Sequence, residues 1–208
     1  VDVNDIEHKH LRANISIVLQ EPFLYSRSIM ENIRITDPSA SEKEVYNVAR
    51  TASVHDVILK FDKGYDTMVG ERGVTLSGGQ QQRVAIARTL MRKAPILVFD
   101  DSMSAVDTET DKTIREALGQ MRGQCTTFII SHRVTTLRES DMILVLDEGR
   151  LVQQGTHEEL MAQDGVYSRI AKIQSMNADA FGDGTVSDED IVTEVIAEAD
   201  ADKEVQGE

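Results

Sequence analysis

The chain has 208 residues, 40% of them hydrophobic, with one cysteine and no tryptophan. That is enough for one well-buried core and leaves no internal disulfide framework. No apolar run approaches the ~18 residues of a spanning helix, and the N-terminus has neither the basic nor the apolar segment of a secretory signal. The net charge of −14 is concentrated: residues 177–208 hold eleven acids against Lys203 alone, a net of −10, which leaves −4 for residues 1–176. So balanced a body makes no electrostatic case for nucleic-acid binding. Cys125 fits a reducing compartment. The chain opens without an initiator Met and in mid-pattern, so it is expected to be a piece of a longer protein.

In chain order, "ISIVL" (15–19) reads as a short buried strand, followed by the turn-like "QEPF" and a polar stretch containing Pro38. "SEKE" (41–44) is a capping box, Ser41 capping and Glu44 reaching back, and it starts a helix through about Thr51. A second helical pattern covers residues 54–61. The glycine-punctuated "GYDTMVGERG" (64–73) leads to "LSGGQ" and the helical run "QQQRVAIARTLMRK", which Pro95 ends. Residues 96–99 form a strand too apolar for a wet face. A helix from Thr108 places Ile114, Leu118 and Met121 on one side. "TTFIIS" (126–131) is predicted as a second buried strand after that and "MILVL" (142–146) as a third. "DEG" (147–149) turns into "RLVQQG", and Thr156 with Glu159 caps a last helix ending near Gln174. Continuous apolar strands alternating with helices predict an α/β fold with a mostly parallel sheet, and the helical region of about 25–90 reads as an inserted subdomain. Residues 176–208 read as a solvated acidic tail. Within it "DAFGDGTVSDED" matches a calcium loop only in part, since Phe181 stands at the third position.

Two stretches carry chemistry. In "LSGGQ" (76–80), Ser77 is a helix N-cap candidate, and Gly78 and Gly79 leave backbone N–H groups bare at the positive end of the helix. Alone, this is either an anion site or an ordinary capped glycine turn. "ILVFDD" (96–101) ends an apolar strand on two acids. Ligands of parallel sheets sit beyond the carboxyl ends of strands, so this is either a Mg²⁺ site or a solvated pair.

Taken together, "TLSGGQQQRVAIARTLMRKAPILVFDDSMSAVD" closely resembles the ATP-binding cassette (ABC) ATPases, joining their signature motif to Walker B and the D-loop. The resemblance extends over residues 1–175. "VLQEPFLYSRSIMENI" is similar to the Q-loop, with Gln20 its glutamine, and "IISHR" to the H-loop, with His132 the switch histidine. "LVLDEGRLVQQGTHEEL" resembles the closing segment, and "TMVGERG" (67–73) the loop before the signature in the exporter branch. The resemblance implies a P-loop NTPase-like (RecA-like) core with an inserted helical signature subdomain, and ATP and Mg²⁺ as cofactors. It implies that Asp100 and Gln20 serve the metal, Gln20 and Asp101 the attacking water, and His132 the γ-phosphate. Leu76, Ser77, Gly78, Gly79 and Gln80 would address a nucleotide held by a second ABC nucleotide-binding domain, with Asp107 at that interface. The Q-loop and residues 67–73 would contact the transmembrane domain of the full-length protein, at the cytoplasmic face of a membrane.

Two departures stand out. The phosphate-cradling G-x-x-x-x-G-K-[ST] loop is absent from the 208 residues, so they are expected neither to bind ATP tightly nor to hydrolyse it alone. The family also carries Glu after the Walker B Asp, where this chain has Asp101. That substitution resembles the degenerate-site half of a heterodimeric exporter. A non-hydrolytic ATP-gated clamp, and a homodimer turning over slowly through Asp101, are the alternatives.

Overall fold

The run "ISIV" is β-branched at three of its four positions, side chains that suit a pleated, packed surface. In the computed structural model it forms strand β1 (Ile15–Val18), preceded by helix α1 (His8–Asn14). The structure describes residues 1–70, 75–103 and 106–181, with the side chains of the last helix through Ser175. Residues 71–74, Ser104, Ala105 and the acidic tail, including most of the calcium-loop-like stretch, lie outside the described residues. The chain divides into two units, residues 1–130 and 131–208.

In the first unit, the elements between β1 and β2 among the described residues are helices: α2 (Ile29–Arg34), α3 (Glu42–Thr51), α4 (His55–Ile58) and α5 (Gly78–Met91), with a short 3-10 turn at Gly64–Asp66. Ser28, Ser41 and Ser77 begin α2, α3 and α5, each through a reciprocal capping box with the residue three positions on. Helix α5 is buried nearly all round, with Val84, Ile86, Leu90 and Met91 closed from solvent and Ala85 and Ala87 allowing close approach. Strand β2 (Ile96–Asp100) is central in a parallel sheet of order β1–β2–β3, with β3 at Thr126–Ile130 and α6 (Thr108–Gly119) as the crossover.

The register aligns Val18 with Phe99 and Phe99 with Ile129. Ser16, Val18, Leu97 and Phe99 share one buried face. The other face is open, with Ile17 and Phe128 aligned across Val98 and about half exposed. The expectation that "TTFIIS" is a buried strand is therefore corrected. It is a strand, but it lies at the sheet edge with Phe128 and Ile130 half exposed. An apolar run reports strand propensity, whereas its burial depends on which element covers it.

The second unit holds α7 (Val134–Leu137), β4 (Ile143–Asp147), β5 (Arg150–Gly155), α8 (His157–Met161) and α9 (Val166–Phe181). Residues 142–146 form a strand, as predicted, and β4 pairs antiparallel with β5. The turn between them explains it, because Glu148 (φ 45°) and Gly149 (φ 74°) are both left-handed, as a two-residue hairpin requires. Ile143, Leu160 and Tyr167 form this unit's core, with Val134, Leu137 and Val145 packed on it. Helix α9 runs seven residues past its predicted end at Gln174.

Candidate functional site

The "LSGGQ" loop is anchored by the buried Leu76. Ser77 Oγ accepts from the Gln80 N–H at 3.3 Å, and Gln80 Oε1 accepts from the Ser77 N–H at 3.0 Å. Gln80 thus closes the cap with its own side chain. The first-turn amides of Gly78 and Gly79 have no acceptor among the described residues, and apart from its chain neighbours and its own helix backbone no described atom lies within 4 Å of where a Gly78 Cβ would stand. Unpaired donors at the positive end of a helix favour an anion.

At the carboxyl end of the parallel sheet, Asp100 is the last residue of β2, in register with Ile130. Asp101 turns away with φ 39°, and its N–H donates to the Ile130 carbonyl at 2.9 Å. Gln20 follows β1 at the same end, so the sheet brings Gln20, Asp100 and Asp101 to its carboxyl end. Sequence reasoning missed Gln82. Almost fully buried on α5, it donates from Nε2 to the Leu19 carbonyl at 3.1 Å and ties the helix behind "LSGGQ" to the residue before Gln20. Its signal was a polar residue on the same helical face as Ile86 and Thr89.

His132 lies in the second unit, its side chain exposed. Its carbonyl accepts from Gln174 Nε2 at 2.7 Å, while Gln174 Oε1 accepts from the Val134 N–H at 2.9 Å. Asp107 caps α6, accepting from the Thr110 N–H at 3.0 Å. That backbone bond, the Thr110 hydroxyl and the nearby Arg83 guanidinium hold its carboxyl below the usual range.

The loop after Gln20 presents Phe23 and Tyr25, edge to face at 5.1 Å and 68% and 44% exposed. Arg88 Nη1 donates to the Phe23 carbonyl at 2.8 Å. The fully buried Asn32 accepts from the Tyr25 N–H at 2.9 Å and donates to the carbonyls of Tyr25 (3.0 Å), Ser28 (3.0 Å) and, more weakly, Arg27 (3.4 Å). This loop pairs with the segment before "LSGGQ": Ile29 N–H to Thr67 O at 3.0 Å, and Val69 N–H to Arg27 O at 2.9 Å. Gly70 closes the pairing with φ 95°, where an added Cβ would stand 3.0 Å from the Ser26 backbone. The two loops expected to meet a membrane domain are thus one hydrogen-bonded body over residues 25–29 and 67–70. Asn32→Leu, which keeps the volume and removes every bond, is expected to lower stability by about 2–4 kcal/mol in urea unfolding. A loss under ~0.5 kcal/mol would show that Asn32 does not hold the loop.

The profile of the ABC transporter family matches residues 1–104. The chain is 44% identical over 172 residues to the beta-(1→2)glucan export ATP-binding/permease protein NdvA of Bartonella bacilliformis, covering 83% of this chain and 29% of that protein. It is 42% identical over 179 residues to the ATP-dependent lipid A-core flippase of Chromohalobacter salexigens, covering 86% and 31%. Among solved structures, a bacterial Atm1-family ABC exporter with ATP bound matches with a TM-score of 0.80 and 44% identity, over 84% of this chain and 31% of that one. The chain belongs to the ABC transporter family. Its α/β architecture is P-loop NTPase-like, as the resemblance of its motifs implied, and exporters are among its relatives. It spans about three tenths of the length of the curated relatives it matches.

Proposed function

We propose that the chain is the C-terminal part of the ATP-binding domain of an ABC exporter, and that it contributes its "LSGGQ" to a nucleotide site shared with a second such domain. The observation that carries this reading is the pair of Gly78 and Gly79 amides at the N-terminus of α5, which have no acceptor among the described residues. The anion site and the strand-end carboxylates fit a nucleotide and its metal. Asp100, at the carboxyl end of the central strand, suits the waters of a Mg²⁺ ion, and Gln20 follows β1 at the same end of the sheet. When bound, Mg²⁺ neutralises charge developing on the phosphates. Gln20 and Asp101 orient the attacking water, His132 donates to the γ-phosphate, and Asp107 faces the partner domain. The partner's triphosphate meets the Gly78 and Gly79 amides and the Ser77 hydroxyl, beside Leu76 and Gln80. The exposed Phe23, Tyr25 and Met68 supply apolar contact for a transmembrane domain, so that closing the shared site moves membrane helices.

Asp101 makes this chain the slow half of the pair. Its carboxylate is one methylene, ~1.5 Å, shorter than the family's Glu. The phosphate-cradling loop is assigned to the part of the full-length protein outside these residues, and the open sheet face around Ile17 and Phe128 supports a further covering element. Isothermal calorimetry on the 208 residues alone is expected to show no ATP binding below about millimolar, for want of the loop's amides and lysine. Micromolar binding would overturn the shared-site reading.

A further inference from the structure

We propose that Gln174 is the positioning residue for His132, which makes helix α9 the element that sets where the imidazole is presented. The inference rests on the reading that His132 meets the γ-phosphate, and extends it to a residue in a different part of the chain.

One carboxamide brackets the histidine. Gln174 Nε2 donates to the carbonyl of His132 at 2.7 Å, and its Oε1 accepts from the N–H of Val134 at 2.9 Å. A donor and an acceptor two residues apart are what a neighbouring strand would offer, so the side chain replaces a missing backbone partner. Between them the Arg133 N–H donates to Ser131 Oγ at 3.1 Å. The main chain is therefore held at His132, Arg133 and Val134 in succession, while His132 stays exposed.

The clamp is stiff because its base is. Tyr167 lies seven residues before Gln174, two turns earlier on the same face of α9. It is buried in the core of the unit, its hydroxyl 2.9 Å from His157 Nδ1 and its N–H donating to Gln153 Oε1 at 3.1 Å. Val134 and Leu137 pack on that same core. An exposed imidazole on an untethered loop would spend entropy on every encounter with a phosphate. Here the main chain on both sides of it is fixed beforehand.

The test uses the full-length protein and reads the preference for ATP over ADP, because a residue that aims a side chain at the γ-phosphate affects only the triphosphate. Equilibrium binding of ADP and of a non-hydrolysable ATP analogue is measured for wild type, Gln174→Met, Gln174→Glu and His132→Ala, alongside thermal melting. Gln174→Met keeps the length and removes both bonds. It is expected to lower the triphosphate preference about tenfold, the lower end of what losing an orienting partner costs a ligand histidine, with ADP affinity unchanged. Gln174→Glu keeps the acceptor for Val134 and is expected to fall between. A Gln174→Met protein that keeps the wild-type preference, or loses ADP and triphosphate affinity equally, overturns the proposal and leaves the reading of His132 intact. If His132→Ala itself keeps the preference, the reading of His132 fails and the proposal falls with it.

Discussion

Asp101→Glu in the full-length protein is expected to raise ATP turnover, by up to ~10²-fold where this chain's own site limits the rate. A carboxylate that orients a water must reach within hydrogen-bond distance of it, and one absent methylene removes ~1.5 Å of that reach. The backbone opposes the exchange. Asp101 is left-handed, with φ 39°, a conformation that Asp and Asn tolerate best among non-glycine residues and that costs a longer side chain ~1 kcal/mol or more. The variant should therefore hydrolyse faster and melt slightly lower, whereas Asp101→Asn should keep the fold and abolish any gain. Steady-state phosphate release together with a melting curve checks both. Turnover that is unchanged in Asp101→Glu would mean that reach is not what limits this site.

Gly78→Asp is expected to separate folding from function in the opposite sense. Among the described residues nothing outside its own helix crowds the space beside Gly78, so a side chain fits and the fold should survive. A carboxylate there sits among the amides that would receive the partner's phosphates and repels them. Losing preorganised donors at a phosphate commonly costs ~10²–10³ in rate. Gly78→Ala, neutral and small, should be tolerated far better and should stabilise the helix start slightly. Wild-type turnover in Gly78→Asp would remove "LSGGQ" from the shared site.

Much of this architecture is readable before any coordinates, for local reasons. The strands of the parallel sheet announce themselves as apolar runs, and Ser41, Ser77 and Thr156 as caps, because those signals lie within a few residues of what they form. What could not be read depends on partners far along the chain. Gln82, Asn32 and Gln174 look like ordinary polar residues on helices, yet each satisfies backbone groups of another segment: Leu19, the loop 25–28, and the main chain around His132. Helix α2 was missed because its capping box, Ser28 with Glu31, opens only six residues of helix. The burial of β3 was misjudged for the same reason, since an apolar run carries no record of its neighbours.

That strand has a consequence for the protein's behaviour outside its assembly. "TTFII" is uncharged, β-prone and free of proline, and it lies at an edge of the described sheet with Phe128 and Ile130 half exposed. Natural edges carry lysines, prolines or bulges that discourage strangers from pairing with them. This one carries none and has the character of segments that stack into cross-β fibrils. Such an edge is expected to pair with copies of itself, so the isolated chain should aggregate more readily as its concentration rises.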